Sequence, residues 1–214
     1  SAKVSAWRSL ASPQALRNAL FVTALAKADV SGPDPVFEGK LGFLDVVCGD
    51  LELALDPMRE RSGDTHLKRF PAVFNAQAPC EIALSMREEI EPELLAQIDE
   101  VEVATHAFAI HWAGRIPALW EPENRETADH SLPYLLALAL IDGHVGADSF
   151  SESKMRDPAM RDLMRRITIA ENPDYTREYP AKLVTQIEVI AKGGGRFVET
   201  ASYAKGHAQN PMNE

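Results

Sequence analysis

Cysteine is scarce in this chain: Cys48 and Cys80 are the only two among 214 residues. Two such positions make neither a disulfide framework nor a metal-ligand spacing, and they read as small apolar residues in a reducing compartment. Positive charge is also short, with 22 Lys and Arg against 32 Asp and Glu and a formal charge of -10. The longest basic groups, Lys68-Arg69 and Arg165-Arg166, fall short of the basic stripe that a phosphate backbone needs. Nucleic acid is therefore excluded as a partner. No apolar run approaches the roughly 20 residues of a membrane span, and no secretory leader pattern opens the chain. Neither a membrane nor an extracellular setting is expected. The predicted compartment is the cytoplasm, or the mitochondrial matrix in a eukaryote. There is no His-x-x-x-His, no Cys-x-x-Cys, no calcium-loop spacing and no dinucleotide or P-loop fingerprint. Neither a metal nor a cofactor is expected. Internal repeats and low-complexity tracts are absent too.

What is present concentrates in one stretch. Arg125-Glu126-Thr127-Ala128-Asp129-His130-Ser131-Leu132-Pro133-Tyr134 leads into an apolar segment that ends at Asp142-Gly143. This predicts a buried helix with its N-terminus near Asn124 to Thr127 and a glycine stop. Arg125, Asp129 and His130 admit two readings. They form a hydrogen-bonded cluster that fixes a histidine tautomer, or they cap the helix and tie it to a neighbour.

Along the chain, residues 12–28 predict a helix with Ser12 as cap and Pro13 in its first turn. Phe21, Val22 and Leu25 on its second face ask for cover on both sides of the helix. Leu41 to Val47 predicts a short helix entered through a glycine turn, and residues 49–65 a crossing into a second, smaller domain. His66 to Phe70 predicts a strand stopped by Pro71, Ala78 to Glu89 a helix, and Ile98 to Ile110 a strand by its alternation. Asp157 to Arg166 predicts a helix and Ile167 to Ala170 a strand. Lys182 to Ala191 and Arg196 to Ser202, joined by Gly193-Gly194-Gly195, predict a hairpin in which the glycines serve the turn. The expected fold is α+β: a small domain of antiparallel strands packed on helices over residues 45–205.

The decapeptide at 125–134 resembles the signature of the MmgE/PrpD family. Val36-Phe37-Glu38-Gly39 with Gly42-Phe43, Leu67-Lys68-Arg69-Phe70-Pro71-Ala72, and Gly206-His207 with Asn210-Pro211-Met212 are similar to three further family motifs, in the family's order. The resemblance implies the C-terminal portion of a lyase that acts on a tricarboxylic acid and forms a homodimer when complete, without a cofactor; it also implies that the chain is a fragment or split subunit, with residues 1–44 the tail of a larger all-helical domain and residues 206–214 the start of a crossover back to it. The implied reaction is removal of water from a β-hydroxy acid, as in 2-methylcitrate dehydratase, because Phe70-Pro71-Ala72 continues as x-aromatic-x-Ala-Gln. Decarboxylation of cis-aconitate and epimerisation of iminodisuccinate are the alternatives within the family.

Such chemistry needs a base, an acid and cations that hold carboxylates. Lys68 is the candidate catalytic and carboxylate-binding residue, since the family's K-x-F/Y-P lysine lines its active-site cleft. Asn75, Gln77 and His66 are candidate substrate contacts; Arg125, Asp129 and His130 are the structural signature. His106 and His144 are expected at the surface or core edge, and His207 is expected to fasten the crossover. Relatives commonly place a histidine shortly after the lysine, where this chain has Val73, Asn75 or Gln77. The family's tyrosine before the signature gives way to His111-Trp112. The remaining acid and base residues of the family lie in the helical domain. Two readings compete with the lyase: a tricarboxylate-binding relative without catalysis, and an assembly module that docks through its apolar first helix.

Overall fold

The computed structural model describes residues 7–49, 51 and 62–212. They divide into two compact units, with the break between Ser62 and Gly63.

In the first unit a long helix, α1 (Trp7–Lys27), begins before Ser12 and carries Pro13 inside it. Ser12 is therefore not its cap, contrary to the sequence reading. The helix ends where Asp29 takes a left-handed conformation (φ 60°). Val30 N–H then reaches the Leu25 carbonyl (3.1 Å) and Asp29 N–H the Ala26 carbonyl (3.1 Å), a Schellman closure. Leu16, Leu20, Phe21 and Val22 are exposed on α1. The predicted helix at 41–47 is a five-residue π-helical turn, Leu44–Cys48. The glycine turn before it is compulsory, since a Cβ on Gly42 would stand 2.6 Å from the Gly39 carbonyl oxygen. The expected crossing at 49–65 falls largely outside the described residues.

The second unit is built from α2 (Gln77–Glu89), β1 (Ile98–Thr105), α3 (Leu132–Asp142), α4 (Pro158–Met164), β2 (Ile167–Glu171), β3 (Thr185–Ala191) and β4 (Arg196–Ala201). The sheet order is β2-β1-β3-β4. The hairpin is as predicted, with Thr185 facing Ala201 and Ile190 facing Arg196. The sheet is mixed rather than purely antiparallel, because β1 and β2 run parallel with Val101 beside Ile167. A parallel pair needs a crossover of a dozen or more residues, and residues 106–166, which carry α3 and α4, provide it. On β3, Thr185, Ile187, Val189 and Ala191 are buried and alternate with partly exposed partners, so one face packs on the helices.

The core centres on α3, whose residues Leu132 to Leu140 are all buried. A helix apolar on every side has to be covered on every side, and α2, α4 and the sheet supply the rest of the core around it. Its start differs from the sequence expectation. A separate turn, Arg125–Ala128, is capped by Asn124, whose Oδ1 accepts from Thr127 N–H (2.9 Å). The helix proper begins at Leu132, with Ser131 Oγ accepting from Tyr134 N–H (3.1 Å). The break is the work of Pro133, which has no N–H to give to the carbonyl four residues back. That carbonyl belongs to Asp129, and Val73 N–H occupies it instead at 2.8 Å. The far end closes on Gly143 (φ 67°), as predicted, with Arg87 bonded to the Leu140 carbonyl.

Tyr134 is fully buried, and its hydroxyl donates to the Ser149 carbonyl at 2.6 Å. Burial, the largest cause, pushes its pKa up to about 12. Tyr134→Phe deletes the donor and orphans a buried carbonyl, so a loss of about 1 to 2 kcal/mol is expected. Urea titration at neutral pH measures it, and an unchanged midpoint would show that water replaces the bond.

Candidate functional site

The Lys68 segment is not a strand, as the sequence had suggested, but a loop held at several separate points. Leu67 N–H donates to the Gly206 carbonyl (2.8 Å), and Val73 N–H donates to the Asp129 carbonyl. Between them the Gln77 amide acts as a clamp: its Oε1 accepts from Phe70 N–H (2.9 Å), and its Nε2 donates to the carbonyls of Phe70 (3.0 Å) and Ala72 (3.3 Å). Gln77 is 1 % exposed. This corrects its assignment as a substrate contact, since its polar atoms are spent inside the protein. The sequence reading took it for a ligand group because burial is not visible in a polar side chain.

Lys68 is exposed and has no hydrogen-bond or ion-pair partner among the described residues. Its neighbour Arg69 is committed, paired with Glu81 at 3.4 Å and lying 5.3 Å from the Phe70 ring centroid. Glu81 in turn accepts from Lys205 N–H at 2.8 Å. Asn75 is half-buried without a side-chain hydrogen bond, one turn from the loop. A free ammonium beside a committed guanidinium is what a loop presents when one cation is kept for a ligand and the other for structure.

His66 is exposed, and its ring stacks between Phe74 (5.4 Å) and His207 (3.9 Å), while Tyr203 leans on His207 (4.7 Å). The sequence reading gave these two histidines unrelated roles; the fold puts them face to face. The signal was Gly206. With φ of 92°, and with a Cβ placed 2.3 Å from the Leu67 carbonyl oxygen, only glycine lets the two segments touch. Asn210 completes the turn, its N–H reaching the His207 carbonyl (2.8 Å) and its Nδ2 the Tyr203 carbonyl (3.0 Å).

Of the signature residues, Asp129 and His130 do associate. His130 Nδ1 donates to the Asp129 carboxylate and to the Glu126 carbonyl, the latter at 3.1 Å. Both partners are acceptors, so the hydrogen sits on Nδ1. Arg125 lies outside this pair, with its guanidinium 5.4 Å from the centroid of the Phe150 ring. His106 is 1 % exposed rather than at the surface. It accepts from Ala109 N–H (3.3 Å) and stacks on Tyr179 (4.8 Å), and burial lowers its pKa. His144 is exposed and bonds Asp148 at 3.1 Å. His111 and Trp112 sit edge to face, with Trp112 exposed.

Two concavities of the second unit can be judged by charge. One of about 400 Å³ is lined by Arg69, Glu81, Ser85, Glu88, Glu199 and Tyr203. Burial first, then the charges of Glu89 and Glu81, raise the Glu199 carboxyl, while a bond from Ser85 opposes the rise. A wall of carboxylates repels a polycarboxylate. The other, of about 360 Å³, has Arg87 and Arg166 on its rim. Both guanidiniums are bonded to carbonyls, those of Leu140 and Ile98. Neither concavity contains Lys68. Among the described residues no group of three or more His, Cys, Asp or Glu is arranged to hold a metal, and no helix is long and apolar enough to cross a membrane.

An α+β unit of this make-up, with the Lys68 loop clamped between two sequence motifs, agrees with what comparison shows. Residues 70–214 match the MmgE/PrpD C-terminal domain, and the chain belongs to the MmgE/PrpD family. It is 27% identical over 213 residues to the mitochondrial 2-methylcitrate dehydratase of Yarrowia lipolytica, covering 94% of this chain and 40% of that protein. With the 2-methylcitrate dehydratase of Escherichia coli (strain K12) it shares 29% over 147 residues, 65% of this chain and 30% of the other. With human cis-aconitate decarboxylase it shares 24% over 162 residues, 71% and 31%. The chain thus spans well under half the length of these relatives.

Proposed function

We propose that this chain is the substrate-gripping α+β part of an MmgE/PrpD-type lyase whose substrate is a tricarboxylate and whose reaction is elimination of water from a β-hydroxy acid. The observation that supports this reading best is the exposed ammonium of Lys68, without a partner among the described residues, on a loop that Gly206, Gln77 and Asp129 hold in place. A point charge held in that way binds a carboxylate and blunts the negative charge that builds when a proton leaves the adjacent carbon. Asn75 offers a neutral hydrogen bond to a second carboxylate or to the hydroxyl. The proton-moving groups would come from the family's helical domain, in a homodimer, in the cytoplasm or the mitochondrial matrix. Decarboxylation or epimerisation by the same anchor would differ only in those outside groups.

In the full-length protein, Lys68→Ala is expected to weaken citrate or 2-methylcitrate binding at least tenfold, since a charge-assisted contact is worth roughly 1.5 to 3 kcal/mol. Lys68→Arg should recover part of it. Calorimetry reads the binding and a dehydration assay the turnover; unchanged values in Lys68→Ala would remove the role. A second reading, tricarboxylate binding without turnover, is favoured by Val73 and Asn75, since neither can act as a general base and the resemblance puts a histidine at one of the positions held by Val73, Asn75 or Gln77. Binding with no product would select it.

A further inference from the structure

His66 is a candidate substrate contact and His207 a fastener of the crossover, and the geometry of the stacked pair they form is highly specified. His66 Nδ1 accepts from Ala208 N–H (3.1 Å), and His207 Nδ1 accepts from Gln209 N–H (3.0 Å). An Nδ1 that accepts carries no hydrogen. The one hydrogen of each neutral imidazole is therefore on Nε2. His207 is 6 % exposed, whereas His66 is exposed two residues from the Lys68 anchor. We propose that His207, with Phe74, is a positioning residue: their stacked rings hold the His66 ring against Ala208 N–H, which fixes the neutral Nε2–H tautomer, and that tautomer donates a hydrogen bond to a substrate carboxylate gripped by Lys68.

The proposal rests on the Lys68 reading above, but its physics is local. Protonating His66 would place a hydrogen on Nδ1, pointing at Ala208 N–H, and break the strap between the two segments; protonating His207 would break the turn bond from Gln209 N–H. Two charged rings stacked at 3.9 Å would also repel. Burial first, and then the charge of His66, lower the pKa of His207. The charged or titratable groups on the two segments are Asp64, Lys68 and Arg69 on one and Tyr203 and Lys205 on the other. Lys205 Nζ is turned to Asn210 Oδ1 (3.3 Å). A histidine whose pKa falls on folding contributes its stability above the ordinary value of about 6.5 and loses it as the pH drops below that. The turn bond of His207 should therefore be kept at neutral pH and loosen in acid.

The test is ring-nitrogen NMR of the histidines in the full-length protein, with citrate binding measured alongside. In the unmodified protein both rings should show the Nε2–H tautomer; an Nδ1–H or averaged His66 ring would overturn the proposal without any variant. In His207→Ala the His66 ring should become a tautomer mixture, and citrate binding should weaken about tenfold. His207→Phe keeps the stacking partner and should restore the tautomer. A His66 ring unchanged in His207→Ala would overturn the positioning role whatever citrate does. Absence of citrate binding by the unmodified protein would sink the Lys68 reading and the proposed use of the donor, while the tautomer spectra still decide whether His207 holds His66.

Discussion

Replacing Leu136 by alanine is expected to lower the stability of the α+β unit by about 3 to 4 kcal/mol. Leu136 is fully buried in α3, the helix apolar on all sides. Removing its branched end leaves a cavity that the neighbouring α2 and α4, each packed on its own partners, have little freedom to fill. The loss has two parts, transfer of the deleted carbons and forfeited contacts around the void. Since whole domains are stable by only about 5 to 15 kcal/mol, this one change is a large share. Urea titration should show the midpoint falling while the slope stays constant. A loss below about 1 kcal/mol would mean that the core collapses around α3, and the view of that helix as a rigid wedge would have to go.

Gln77→Ala should come second, at about 3 kcal/mol, and its effect should spread to the ligand loop. The substitution leaves Phe70 N–H and the carbonyls of Phe70 and Ala72 without their partner. Each abandoned buried group costs about 1 to 3 kcal/mol, partly recovered if water enters. Lys68 lies inside the clamped loop, so citrate binding should weaken together with stability. Gln77→Glu gives a sharper version. It keeps the acceptor for Phe70 N–H but sets a second oxygen against two carbonyls, which favours the protonated acid. A carboxyl whose pKa rises on folding contributes its stability below the unfolded value of about 4.3 and loses it as the pH rises. The Gln77→Glu protein should thus be weakest relative to the parent at neutral pH and recover on acidification. Equal deficits at both pH values would show that the amide hydrogens do not matter.

How much of this was legible in advance depended on whether the cause was local. The β3–β4 hairpin, β2, α2 and α4 could be read from alternation, helical spacing and turn glycines, because these patterns record which face of a single element is buried. Four motifs in order were enough to suggest the family, and the match over residues 70–214 carries it. Lys68 could be singled out as the cation to watch. The loop that holds it could not, for His66 to Phe70 has the composition of a strand but no neighbour to pair with. His106 was misjudged for a related reason: its burial depends on Tyr179, 73 positions away in the chain.

By itself the amino-acid order determined the kinds of element, the glycine stops, the acidic surface charge and the membership of a family. Tertiary structure alone decided that Gln77 is a clamp, that Arg125 leaves the Asp129–His130 pair for Phe150, that β1 and β2 run parallel, and that His66 meets His207. Apart from the Gln77 clamp, which reaches back five to seven residues, each of these is a contact between residues far apart in the chain. Such contacts depend on which hydrogen bonds remain unfilled once the helices and sheet have formed. Asp129 shows it most directly: Pro133 frees its carbonyl by a rule that can be read in the sequence, but only the fold shows that Val73 takes it.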